Sequence, residues 1–390
     1  MSDQLNKRAM FYRELDRGLG PSVESHIAWY HKMQETQPVR YRETHNLWEV
    51  FRYKDVQQVL ADHATFASWR QYDPKDHRRR RGIKSKAFSP RRMEELTRRL
   101  VQTVEELLEQ AKASGKMNGV TDLASALPMR VITEMLGLPL CDQERLQQWS
   151  YQMLGQIMGV EKADYHEIRH YFTDLLDKRK RDLRDDLISE WLVAEANGAG
   201  VTREEILSMC EELLFAGNVT TSMMLSFALL RLCEHPEIYQ ALRDDPSLIA
   251  GVLEETLRYD FSPTNVWRIA SHDTVFCGQQ IIAGQDVVAW TGAANFDETY
   301  FPQSECFDIR RSPNPHLTFG YGVHFCLGTP QARLEGRILL ERIVAHFSEL
   351  RLDPEHSVQY AHHISSRLLQ SFDILFTLGG STREKSEVSR

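Results

Sequence analysis

Ten residues constrain this chain more than any others: Phe319-Gly320-Tyr321-Gly322-Val323-His324-Phe325-Cys326-Leu327-Gly328. Three glycines and one cysteine stand just before a helical stretch from Thr329 to Phe347. Such a loop can bend the backbone to hold one thiolate at a helix N-terminus, where exposed N–H groups and the dipole favour an anion. A lone cysteine is more often a small buried hydrophobe, and a Gly-rich loop alone is weak. The full pattern F-G-x-G-x-H-x-C-x-G, continued by Pro330, Ala332, Arg333, Leu334 and Glu335, is far more specific.

Length alone, 390 residues, suggests two or three domains. Hydrophobic residues make up 42% and charged residues 26%, enough to bury a large core. A net charge of -8 argues against a general nucleic-acid binder. Met1 to Gly18 is rich in charge and lacks an apolar run, so no signal peptide or anchor is expected. There is no run of eighteen apolar residues to span a membrane, and a soluble, cytoplasmic protein is the expectation. Six cysteines (Cys141, Cys210, Cys233, Cys277, Cys306, Cys326) show neither C-x-x-C nor zinc spacing and read as reduced thiols. The 15 histidines form no H-E-x-x-H or similar helical pair.

The periodicity is mostly helical. Apolar residues recur at three- and four-residue spacing over Val23–Glu35, Tyr53–Asp62, Arg91–Ala113, Asp142–Met158 and Asp164–Arg181. The longest helix is expected from an N-cap at Thr202, with Glu204 and Glu205 in the first turn, to about Cys233. At helical rise it would be roughly 45 Å long. His235-Pro236 ends it, and Pro246 precedes a helix reaching Tyr259. Strand signals are short: Val39–Arg42, Leu47–Phe51, Val266–Ala270, Thr274–Phe276, Val287–Trp290 and Phe372–Thr377. No linker splits the chain, and the polar residues 379–390 are expected to fray.

The cysteine loop resembles the haem-binding loop of the cytochrome P450 family. Further segments match that family in order. Glu255-Thr256-Leu257-Arg258 is similar to its E-x-x-R, 71 residues before Cys326, with the two charges one turn apart. Asp73-Pro74-Lys75-Asp76-His77, followed by Arg78 to Arg81, looks like its D-P-P-x-H-x-x-x-R helix. Ala216-Gly217-Asn218-Val219-Thr220-Thr221 resembles its A-G-x-(D/E)-T-T segment. The resemblance implies a mainly α, P450-like single domain over residues 1–378, with a small discontinuous β region and one haem b.

It further implies Cys326 as the axial ligand of the iron, a thiolate that favours O–O cleavage. His77, Arg81, Arg268 and His324 would bind the propionates, with Phe319, Gly217 and Gly328 against the haem. Thr220 would be the proton-relay hydroxyl, and Glu255 with Arg258 a structural pair. The pocket would draw on Leu213, Leu214, Ala216 and Gly217, on Thr264 to Val266, on Trp69, and on Leu368 in the Ser365–Leu369 turn. From Lys75 to Arg99 there are eleven Lys/Arg against three acids. On the thiolate side of the haem, such a patch, Arg79 and Arg80 included, would steer an acidic ferredoxin or flavodoxin-type electron donor. A monomer with a small-molecule substrate, free or carrier-bound, is the expectation.

Three departures stand out. Val219 occupies the position of the usual acid, leaving Thr220, water and Glu212 to handle protons. Cys306 stands where an Arg usually joins the Glu–Arg pair, unless Arg310 or Arg311 reaches in. Only Ala67 to Tyr72 lies between Phe66 and Asp73, a short roof in which Trp69, Arg70 and Tyr72 would cap the pocket. The implied reaction is monooxygenation of an apolar substrate. Its rivals are a peroxide-driven, coupling or isomerising haem-thiolate enzyme, and a non-catalytic haem sensor.

Overall fold

The computed structural model describes residues 2–19, 23–68, 74–158, 164–198, 200–260, 263–361 and 368–379. Its helices are α1 (Ser2–Leu19), α2 (Val23–Thr36), α3 (Tyr53–Ala61), α4 (Pro74–Ser85), α5 (Pro90–Ser114), α6 (Ala126–Leu136) and α7 (Gln143–Met158). They continue as α8 (Tyr165–Arg181), α9 (Leu187–Ala196), α10 (Arg203–Glu234), α11 (Pro236–Asp244), α12 (Ile249–Tyr259), α13 (Thr291–Ala294) and α14 (Thr329–His346). The strands are β1 (Val39–Arg42), β2 (Leu47–Val50), β3 (Phe66–Ala67), β4 (Met117–Asn118), β5 (Val266–Ala270) and β6 (Thr274–Phe276). After these come β7 (Gln279–Ile281), β8 (Asp286–Ala289), β9 (Phe347–Leu352), β10 (Gln359–Ala361), β11 (Leu368–Ser371) and β12 (Asp373–Leu378). The chain is mainly helical with small sheets.

Helix α10 organises the interior. Thr202 caps it in a capping box with Glu205, and the helix stops at His235, before Pro236 removes a backbone donor. From Val219 to Leu230 nearly every side chain is buried, which is how a helix surrounded by others must read. By length and composition it could cross a bilayer, but 72% of its most apolar window is buried within the protein. One apolar cluster around it draws on residues from Leu96 in α5 to Ile374 in β12, and another joins α6 through α10.

The largest sheet has the order β1-β2-β8-β5-β3. Only β2 and β8 run parallel, with Leu47 opposite Asp286 and Val50 opposite Ala289. The expected hairpin is present, Val39 facing Val50. Against this sheet packs α1, a helix absent from the sequence expectations because its surface is so charged. Its Phe11, Tyr12 and Leu15 are buried, and Phe11 meets Trp267 edge-on at 5.5 Å. Helix α6 was also unforeseen: Pro128 interrupts the pattern, yet sits in the first turn where its missing N–H costs little.

On α14, Glu335 is fully buried and its one side-chain partner among the described residues is Gln331, whose Nε2 donates to Oε1 at 2.8 Å. Burial pushes this carboxyl up to about 8. The folded chain therefore keeps a proton that the unfolded chain releases above about pH 4.5. Stability from this group is present below that pH and is lost as pH rises toward 8. Glu335→Gln should flatten the decline in melting temperature between pH 5 and 8. Parallel curves for the variant and the parent would refute it.

Candidate active site

The cysteine loop is closed by its own backbone. Gly320 and Gly322 both adopt φ of 73°, the left-handed region that glycine enters without steric cost. Gly320 N–H donates to Leu317 at 2.8 Å, and Cys326 N–H donates to Phe319 at 2.9 Å. Gly322 lies so close to α3 that a Cβ would stand 3.3 Å from the Ala61 Cα. Thr329 Oγ1 donates to the Cys326 carbonyl at 3.0 Å, and Pro330 then starts α14 in the first turn, where proline is tolerated. The loop leaves Cys326 exposed at the helix entrance.

Across from it lies α10, and the two share a cavity of about 280 Å³. Cys326, Phe319, His324 and Gly328 line it from the loop, Arg81 from α4, and Leu213, Ala216, Gly217 and Thr220 from α10. Thr220 Oγ1 donates back to the Ala216 carbonyl at 2.7 Å, so its proton is held while its lone pairs stay available. At Gly217 a Cβ would stand 2.4 Å from Ile132 Cδ1 of α6. The glycine's small size thus serves helix packing as well as lining the cavity.

Val219 is fully buried in a small apolar cluster with Leu154 and Met223, flanked by Phe215 and Leu368. A carboxylate there would be stripped of water. Glu212, the other acid considered, lines the cavity and accepts from Lys84 Nζ at 2.7 Å. The sequence reading passed over Lys84. Its spacing from Arg81, three residues along α4, was the available signal.

Four expected cationic or N–H donors converge. The His77 and His324 rings stand 4.4 Å apart, edge to face. Arg81 Nη2 donates to the Phe325 carbonyl at 2.7 Å. Arg268 is buried, its Nη1 bonded to the Trp267 carbonyl at 3.1 Å and its Nε without a partner. Among the described residues no carboxylate pairs with it, and burial pulls its guanidinium down to about 10. His324 falls to about 4, first through burial and then through the nearby positive charges, Arg268 foremost. His77 is lowered too, by burial and then by Arg81 and Lys84. A buried guanidinium with an orphan N–H, beside two imidazoles, suits added carboxylates. The two propionates of a haem fit it, with Cys326 on one side of the cavity and Thr220 on the other.

Behind the site, Glu255 and Arg258 are fully buried and paired, Nη2 to Oε1 at 2.6 Å and Nε to Oε2 at 2.9 Å. Arg258 also donates to the carbonyls of Asn295, Ser304 and Cys306. The third cation is present after all. Arg311 Nε reaches Glu255 Oε1 at 3.2 Å, so Cys306 contributes its backbone carbonyl while Arg311 supplies the charge.

The expected pocket needs correction elsewhere. Leu214 is fully buried in the core that joins α6 through α10. Thr264 is buried, its carbonyl taken by Gly292 N–H at 2.7 Å, and Val266 packs on the sheet. Leu368 packs against the Val219 cluster and lines a different cleft. Trp69, Arg70 and Tyr72 lie outside the described residues. Arg79 and Arg80 do not form an open patch: both pair with Asp76 and with Glu205 of α10. That leaves Lys75, Arg78, Lys86 and Arg98 as exposed cations of the stretch with no ion pair among the described residues.

One loop thiol, a facing helix with a hydroxyl, and a cation cluster awaiting carboxylates make the donor set of a haem-thiolate protein. Comparison with known proteins agrees. The sequence profile described as Cytochrome P450 matches residues 147–369. The putative cytochrome P450 YjiB of Bacillus subtilis is 33% identical over 370 residues, covering 89% of this chain and 93% of that protein. The erythromycin C-12 hydroxylase of Saccharopolyspora erythraea is 33% identical over 390 residues, covering 92% and 96%. P450BioI, solved in complex with hexadec-9Z-enoic acid ligated acyl carrier protein, superimposes with a TM-score of 0.83 at 30% identity, covering 91% of this chain and 98% of that one. The chain belongs to the cytochrome P450 family, the haem-thiolate monooxygenases.

Proposed function

We propose that this enzyme inserts one oxygen atom of O2 into an apolar organic molecule of polyketide, terpenoid or fatty-acyl type, with electrons from a separate ferredoxin- or flavodoxin-type protein. The observation that supports it most is a cavity lined by both Cys326 and Thr220. Cys326 would ligate the iron, while His77, Arg81, Arg268 and His324 hold the propionates. When bound there, haem supplies the activation of O2. Thr220, its own proton engaged by Ala216, accepts a hydrogen bond from water and fixes that water in the cavity. Leu213 and Ala216 present apolar surface to the substrate. A relative described as an erythromycin C-12 hydroxylase and another solved with a hexadecenoic acid-ligated acyl carrier protein favour a large or carrier-bound substrate.

Turnover tests this. With a surrogate ferredoxin system, NADPH and O2, compounds that shift the ferric spin state should yield products one oxygen heavier. The Val219 cluster supports one alternative, a reaction driven by peroxide that needs less proton delivery. Product with hydrogen peroxide and none with the ferredoxin system would favour it and overturn the first reading.

Electron delivery follows from the exposed cations. Lys75→Glu with Arg78→Glu should slow first-electron transfer roughly tenfold at low ionic strength, and the difference should shrink as salt rises. Unchanged reduction rates in stopped flow would remove this face as the docking surface.

A further inference from the structure

A second cleft, about 1040 Å³, lies away from the cysteine loop between α5, α6, α7 and β11. Its floor is apolar, with Leu107, Ala111, Val120 and Met129, and Leu154 and Leu368 close one end. Along α7 runs a row of uncharged polar side chains, Gln143, Gln147 and Tyr151, at four-residue spacing and so on one face. Tyr151 is engaged, its hydroxyl 2.9 Å from Ser125 Oγ. The Nε2 atoms of Gln143 and Gln147 are not: both are buried and have no hydrogen-bond partner. Leaving such donors unpaired is costly. The terminal torsion is broad, so the Gln143 amide can turn toward the cleft at small cost, whereas turning the Gln147 amide exchanges its bond with Asn218. Of the charged groups on the rim, Arg130 is engaged by Glu106 and Asp122 by the Asn118 N–H and Thr121, and the exposed Glu144 of α7 disfavours an anionic ligand.

The cleft also reaches α10. Gln147 Oε1 accepts from Asn218 Nδ2 at 3.2 Å, and Asn218 is fully buried with its own Oδ1 unpartnered, two residues before Thr220.

We propose that this cleft is a second small-molecule site, taking a neutral, compact ligand with an apolar body and two carbonyl oxygens, and that its occupancy is transmitted through Gln147 and Asn218 to the helix facing Cys326. Two donors one α-helical i, i+4 step apart set the acceptors about 6 Å apart. A cyclic dipeptide with apolar side chains carries two carbonyl oxygens on a compact neutral ring that can lie edge-on along this row, and cyclo(Leu-Phe) is the probe. The holoenzyme is first saturated with 4-phenylimidazole, which closes the haem-side cavity and whose Soret band reports haem loading independently. Calorimetry should then show one further cyclo(Leu-Phe) bound per chain. Binding should weaken at least tenfold in Gln143→Leu/Gln147→Leu and vanish in Ala126→Trp, which fills the cleft. The probe should also change the affinity for 4-phenylimidazole, and Gln147→Leu should abolish that change. No binding to the saturated enzyme, or equal binding by the parent and both variants, overturns the site. Binding that leaves the azole affinity unmoved overturns the link to α10. Neither outcome depends on whether O2 or peroxide drives turnover.

Discussion

Arg258→Ala is expected to destabilise the folded holoprotein by about 3–5 kcal/mol, the largest loss for any residue outside the cavity. Glu255 has no water to fall back on, and Arg258 provides its two shortest bonds. Without the guanidinium, the carboxylate keeps Asp308 N–H, Asn314 and the single bond from Arg311. Three backbone carbonyls, of Asn295, Ser304 and Cys306, lose their donor at the same time. Those carbonyls belong to the segment that leads into the cysteine loop, so the loss of stability should be accompanied by haem release. Arg311→Ala should cost less, about 1–2 kcal/mol, since the bidentate pair survives it. Urea unfolding followed at once by far-ultraviolet ellipticity and by the Soret band measures both. Equal midpoints for Arg258→Ala and the parent would show that the pair carries no structural weight.

The parts of this architecture that repeat locally could be read from the sequence. The Thr202 cap, the His235-Pro236 stop and the apolar run between them define α10 to within a residue. The spacing of Glu255, Arg258 and Cys326, with His77 and Arg81, announced the centre because each motif carries its own residue chemistry. What escaped depends on contacts between distant residues. Arg311 replaces the missing arginine through a turn of the chain that brings it 56 residues back to Glu255. Arg79 and Arg80 read as open cations because Glu205, whose carboxylate neutralises them, lies more than 120 residues away. Val219 read as a missing acid, whereas Leu154 and Met223 make that position an apolar contact. Gly217 read as room for a ligand; it does line the cavity, but its close packing against Ile132 of α6 could not be read from the sequence. Helix α1 hid its buried apolar residues, Phe11, Tyr12 and Leu15 among them, between charges.

Cys326→His should produce the second large effect, a complete change in the character of the iron. The loop backbone does not depend on the thiol: Cys326 donates its N–H to Phe319 and accepts from Thr329 through its carbonyl, bonds that a histidine can also make. Gly328 leaves ordinary clearance beside the sulfur, 3.9 Å from where a Cβ would stand. His77, Arg81 and Arg268, the proposed propionate donors, are untouched by the substitution, so haem should still bind. Thiolate ligation is therefore separable from haem binding, and the optical spectrum of the reduced, CO-bound protein reads it directly. A strongly red-shifted Soret band in the parent, replaced by an unshifted band in Cys326→His at equal haem content, is the predicted result. An unshifted band in the parent, or a red-shifted band that survives in Cys326→His, would contradict Cys326 as the ligand.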